Sequence, residues 1–149
     1  MVTGFDEFYR LRWPEAARWA GGLTGQPAVG QELAQEAFLR VRDRYASLDN
    51  PTAYLRTTVV NLCRSWQRSS MREAARMAAV ARPDIVAAAS DDLLDALAHL
   101  PFRQRAALVL RFWADWTEEE IAIALDCRPA TVRSLAHRGL AALRQEIER

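Results

Sequence analysis

The 149-residue chain contains no lysine: all 20 of its basic residues are arginine, set against 19 Asp and Glu for a formal net charge of +1. Taken alone, that near-neutral total argues against a nucleic-acid partner, which a strong basic excess usually serves. An arginine-only complement reads either as coding composition or as a preference for the fork that grips phosphate at two points. Cysteine and histidine are nearly absent. Cys63 and Cys127 stand far apart, and with only His99 and His137 beside them neither a disulfide framework nor a zinc spacing can be drawn. Both cysteines read as small core residues. No apolar run approaches the ~20 residues that span a bilayer. The first stretch carries Asp6, Glu7, Glu15 and several Arg in place of a signal peptide's apolar segment, so a cytoplasmic protein without membrane insertion is expected. There is no Gly-rich phosphate loop and no His placed beside a nucleophile and an acid. The expectation is of no enzyme: no catalytic residue, no cofactor and no metal site.

What is present is helical periodicity. Gly and Pro number six each, and nearly every apolar stretch repeats at three- and four-residue steps, with no sustained alternation of the kind that marks a strand. The fold class is therefore all-α. A first helix over 5–23 carries Phe5, Phe8, Tyr9, Ala16, Trp19, Ala20 and Leu23, with Pro14 expected to force a kink or restart near Trp13. A second, over 29–45, places Leu33, Ala37 and Val41 on one face. Asn50-Pro51 then starts a third, since Asn50 accepts backbone donors as N-cap and Pro51 loses nothing at the first helical position. Leu55, Val59, Leu62 and Trp66 form its inward stripe. Arg64, Arg68, Arg72 and Arg76 form a ladder on another face, where each like-charged pair costs roughly 0.2–0.5 kcal/mol unless something anionic relieves it. That ladder reads either as a solvated face or as a phosphate-facing one, with Tyr54 and Trp66 as aromatic neighbours.

Residues 73–91 turn Ala-rich around Pro83 and read as a linker. The expected organisation is thus two small helical domains, 1–72 and 92–149, joined by that linker. In the second domain Leu93, Leu94, Leu97 and Leu100 begin a new amphipathic pattern, and a further helix follows Pro101. Thr117 with Glu120 makes a capping box, and after Asp126-Cys127-Arg128 another helix opens at Pro129. Short helix, tight turn, second helix is the helix-turn-helix arrangement, whose second helix enters the DNA major groove. Residues 127–145 hold four Arg and no acid, while 115–126 hold five acids and no Arg. The basic helix would face DNA and the acidic one sit back, although capped helical hairpins also occur in bundles that bind nothing.

Two groups of segments together resemble a known family. Residues 33–40 (LAQEAFLR), 51–55 (PTAYL) and 60–68 (VNLCRSWQR) are similar to region 2 of the sigma-70 family in its extracytoplasmic-function (ECF) form. Leu97 to Pro101, Arg103-Gln104-Arg105, Glu120-Ile121-Ala122, 130–134 (ATVRS) and Arg138-Gly139-Leu140 are similar to region 4. The resemblance implies a dissociable promoter-specificity subunit that binds core RNA polymerase and promoter DNA, with an anti-sigma protein as a further partner. It implies that Gln35, Glu36, Leu39 and Arg40 contact core polymerase. Asp49, Asn50, Asn61, Arg64 and Arg68 would serve the minus-ten element, and Arg128, Thr131, Arg133, Ser134, His137 and Arg138 the minus-thirty-five element. The competing reading is a stand-alone helix-turn-helix regulator with an N-terminal sensing or dimerisation domain.

The chain departs from the family pattern at four places. Ala28-Val29-Gly30-Gln31 stands where acids usually lead into the second helix. Asp126 takes a turn position commonly filled by Gly, and Asp accepts left-handed geometry better than most residues. Arg128 replaces a Ser cap, which forgoes ~1 kcal/mol of capping and adds a charge. Leu135 sits where a polar or basic residue is common, and is expected on the recognition surface as a reader of a thymine methyl.

Overall fold

A computed structural model describes residues 4–78 and 92–148 of the chain. Among the described residues the structure is helical throughout. The N-terminal half holds α1 (Phe5–Thr24), α2 (Pro27–Arg44), a 3₁₀ turn (Tyr45–Ser47) and α3 (Pro51–Ala78). The C-terminal half holds α4 (Asp92–Ala98), α5 (Phe102–Leu108), a π-helical turn (Val109–Trp113), α6 (Glu118–Leu125) and α7 (Pro129–Ile147). No helix among the described residues is long and apolar enough to cross a membrane. The expected linker overlaps α3 by one and a half turns over 73–78; its remainder, 79–91, lies outside the described residues.

The local chemistry sets most of the helix boundaries. Gly25 closes α1 in the left-handed region (φ 73°), donating its N–H to Gly21 O at 2.9 Å. Pro27 at the first position opens α2. Asn50 Oδ1 accepts from the Ala53 N–H at 3.1 Å, so the expected cap of α3 is formed. Both bonds of the Thr117–Glu120 capping box are present, at 3.1 and 2.8 Å. Asp126 turns the chain at φ 55° and Cys127 N–H closes on Ala122 O at 2.9 Å. Pro14 departs from expectation: α1 runs through it without restarting, with the ring on the exposed side.

α1 and α2 form a hairpin in closer approach than side chains alone would allow. A Cβ on Gly30 would lie 2.5 Å from Gly21 N and 2.7 Å from Ala20 C, so the backbones themselves touch there. Gly30→Ala should therefore push the helices apart and destabilise the protein by about 1–3 kcal/mol. Urea denaturation reads this as a lowered midpoint at unchanged slope.

The two halves are not separate in this structure. One buried cluster runs from Phe8, Phe38, Leu55 and Val59 to Leu110, Ile121, Leu125 and Val132. Trp19 of α1 meets Trp116 edge to face, with ring centroids 5.0 Å apart. Arg56 of α3 pairs with Glu120 of α6 at 2.8 Å and lies 5.5 Å over the Trp116 ring. Arg105 of α5, fully buried, donates to Gln67 of α3.

Candidate nucleic-acid interface

α7 supplies the basic face. Arg128, Arg133, Ser134, His137 and Arg138 are exposed and Thr131 is half-buried. The 133, 134, 137, 138 spacing places four of them on one side of the helix, where they line a shallow hollow of about 400 Å³. Inward, Val132 and Leu135 hold the helix against the core. Leu135 is only 6% exposed, which overturns its expected place on the recognition surface. The physical reason is the helical repeat, which carries Leu135 to the same side as Val132, so the exposed face is polar and reads no methyl through this residue.

Arg133 is not a loose cation. Its Nη1 meets Glu118 Oε2 at 2.6 Å, and Arg111 Nη2 lies 3.6 Å from the other oxygen of the same carboxylate. Glu118 stands in the first turn of α6, so an acid favoured there by the helix dipole also holds the side chain of the following helix.

On α3, Asn61 and Arg68 are exposed and Arg64 is half-buried. The Arg64 guanidinium sits 5.7 Å over the Phe102 ring of α5, and its Nη2 is buried without a hydrogen-bond partner among the described residues. Burial lowers its pKa from the ordinary arginine value, with Arg103 and Arg68 adding to the effect. Asp49 and Asn50 are exposed on the turn before α3, although the Asn50 carbonyl is already engaged as the cap. Tyr54 is covered by Arg44, 5.2 Å over its ring, and Trp66 is half-buried. Of the remaining ladder, Arg72 donates to Arg68 O and Arg76 pairs with Glu73. On α2, Gln35, Glu36, Leu39 and Arg40 are all exposed on one face, and Arg40 reaches Glu36 at 3.4 Å.

Between the halves lies an open cleft of about 990 Å³ that brings Arg64 and Arg68 of α3 opposite Arg103 and Arg138 of the C-terminal half. Residues assigned from sequence to two separate promoter elements thus face one space. Sequence reasoning missed Arg56 and Arg105 altogether. Arg105 carried a signal: a charge set against the apolar run 106–110. Its burial lowers its pKa to about 10, and burial likewise raises that of the neighbouring Cys63 to about 12, leaving that thiol protonated and inert at neutral pH.

Residues 8–73 match the family described as Sigma-70 region 2, and residues 90–143 match Sigma-70, region 4. The chain belongs to the sigma-70 family. It is similar to the RNA polymerase sigma-E factor of Streptomyces antibioticus, 33% identical over 99% of this chain and 86% of that protein. It is also similar to the ECF RNA polymerase sigma factor SigL of Mycobacterium tuberculosis, 28% identical over 97% of this chain and 86% of the relative. Among solved structures it shares its fold with the sigma factor RpoE of Bartonella quintana, co-crystallised with the anti-sigma factor NepR (TM-score 0.77, 23% identity, covering 99% and 98% of the two chains).

In sigma-70 terms, α1 to α3 fall in region 2 and α4 to α7 in region 4, and Arg56–Glu120, Arg105–Gln67 and Trp19–Trp116 tie the first region to the second. The Glu118–Arg133 pair lies within region 4. Glu118→Gln should release Arg133 while keeping the side-chain shape, raising affinity for duplex DNA of any sequence several-fold and steepening its salt dependence. Fluorescence anisotropy with specific and scrambled duplexes across a salt series measures both.

Proposed function

We infer that the chain is an ECF sigma factor: it binds core RNA polymerase, recognises the minus-ten and minus-thirty-five promoter elements, and promotes DNA-templated transcription initiation. The observation that carries this is the presence of both sigma-70 regions, in order, between residues 8 and 143 of one chain. A stand-alone regulator needs no region 2, and no observation favours that reading. The chain acts by binding in the cytoplasm and catalyses no reaction of its own.

The residue roles follow from exposure and chemistry. Gln35, Glu36, Leu39 and Arg40 offer core polymerase a solvent-facing mixed polar and apolar strip on α2. Asp49, Asn50, Asn61, Arg64 and Arg68 serve the minus-ten strand: Asn61 has both donor and acceptor for a base edge, and the arginines hold phosphates. Arg128, Thr131, Arg133, Ser134, His137 and Arg138 present the minus-thirty-five reading face on α7, with Arg133 and Arg138 suited to guanine or phosphate. The division into 1–72 and 92–149 is what lets one chain reach both elements. By their names those elements lie roughly 25 base pairs apart, which is about 85 Å of duplex at 3.4 Å per pair. Arg68 and Arg138 line a single cleft, so engaging both elements requires the halves to part. The exposed Phe112 and Trp113, beside Leu93 and Leu140, are an apolar surface suited to an anti-sigma partner, by analogy with the Bartonella quintana complex.

The deciding experiment sequences transcripts made by core polymerase with and without the protein. New start sites sharing a two-part upstream motif support the reading. Duplex binding by the protein alone, with no association with core polymerase, returns it to the regulator class.

A further inference from the structure

We propose that the cleft between the two halves is a binding site for a polyphosphate, the triphosphate chain of a nucleotide or a free inorganic triphosphate. The inference stands on the cleft itself and not on the DNA roles given above. Four arginines on three helices converge on it: Arg64 and Arg68 from α3, Arg103 from α5 and Arg138 from α7. Among the described residues that line it, Asp126 is the single carboxylate. The local balance of +3 is therefore uncompensated, in a chain whose total is only +1.

Three of the four arginines have a contact that orients them. Arg103 Nη2 donates to Leu125 O at 3.4 Å, and Arg138 Nε donates to Ser134 O at 3.4 Å, so both guanidinium groups are anchored on backbone carbonyls with donors to spare. Arg64 is pressed against Phe102 with its Nη2 buried and unpartnered. Behind it the guanidinium of Arg105, 2% exposed, shares the same ring at 5.9 Å, has a neutral amide as its side-chain partner and leaves its own Nε without a partner among the described residues. Buried cations without a counter-charge are costly, and a cluster of them gains most from a compact anion. Burial lowers the proton affinity of Arg64, Arg103 and Arg68 add to that effect, and Asp126 opposes it.

A triphosphate fits this chemistry better than an acidic peptide. It concentrates three to four negative charges within a few ångströms, and its oxygens match the two-pronged guanidinium geometry. At about 990 Å³ the cleft has room for a nucleotide, and Leu100, Leu125 and Leu135 give it an apolar wall for an uncharged part. A bound polyphosphate would bridge α3 to α5 and α7, hold the halves together and exclude promoter DNA from Arg64, Arg68 and Arg138.

Titration calorimetry of the full chain at about 0.15 M salt, with inorganic triphosphate and then with ATP and GTP, tests this. One-to-one binding is expected. Arg103→Gln should weaken it at least about tenfold, as loss of a charged hydrogen bond does. Asp126→Asn, which keeps the left-handed turn tolerable, should tighten it several-fold. Arg10→Gln, on the exposed side of α1, should leave it unchanged. The Asp126 variant keeps the test decisive should Arg103→Gln fail to fold, since only a real anion site responds with the opposite sign. Tighter binding of nucleotide than of triphosphate assigns the site to a nucleotide, and equal affinity assigns it to the phosphate chain; either supports the proposal. Absence of binding, equal weakening by Arg10→Gln and Arg103→Gln, or displacement of triphosphate by a glutamate peptide of matched charge overturns it. The transcript experiment above is unaffected by any of these outcomes, so the two conclusions fail separately.

Discussion

Phe38→Ala is expected to cost about 3–5 kcal/mol, a large part of the stability of a chain this small. Phe38 is 1% exposed and its ring meets four others from α1: Tyr9 at 4.9 Å, Phe8 at 5.9 Å, Trp13 at 6.0 Å and Phe5 at 6.5 Å. Truncation removes the hub of that cluster and leaves a cavity that rings fixed on one rigid helix cannot collapse to fill. Urea denaturation should show the loss directly. A second readout comes from Cys63, buried and inert in the native state: its labelling by a thiol reagent reports opening of the N-terminal half and should accelerate by two orders of magnitude or more in the variant. Labelling at an unchanged rate would mean that α1 does not depend on this contact.

Arg133→Ala carries the largest expected functional effect. The guanidinium is 61% exposed at its side chain and oriented by Glu118, and a two-point contact with a base is worth about 1–3 kcal/mol of discrimination. Promoter-specific transcription should fall by roughly 10- to 100-fold, while pull-down by core polymerase is unchanged because the α2 strip proposed to contact it is untouched. Loss of both activities would mean that Arg133 supports the fold of region 4 through Glu118. Comparison with Glu118→Gln separates these cases: the amide removes the ion pair but keeps Arg133 available to DNA.

Helix starts were legible wherever a local group sets them: Asn50-Pro51 for α3, the Thr117–Glu120 box for α6, Pro129 for α7. The inward stripe of α3 was legible over its first three members, Leu55 and Val59 fully buried and Leu62 packed against the core, while Trp66 is only half-buried. Pro14 does not restart α1, because a proline forbids a helical hydrogen bond without forbidding the helix, and on an exposed face the loss is tolerable. Leu135 follows Val132 by three residues and so turns inward with it, whatever residue type the family carries at that position. The basic face of α7 was legible from charge pattern. That Arg64 and Arg68 would look across at Arg103 and Arg138 was not, because nothing local in either stretch encodes which surfaces of two helical units will meet. Arg56 and Gln67 look in sequence like ordinary polar positions, and acquire their meaning only from the opposite half.

Glu120 divides its work between its two oxygens. Oε1 takes the Thr117 N–H and completes the start of α6, while Oε2 holds Arg56 across the interface. Parting the halves releases the second bond and leaves the first in place. The start of α6 therefore does not depend on the contact between the halves, because its cap closes within the helix's own first turn.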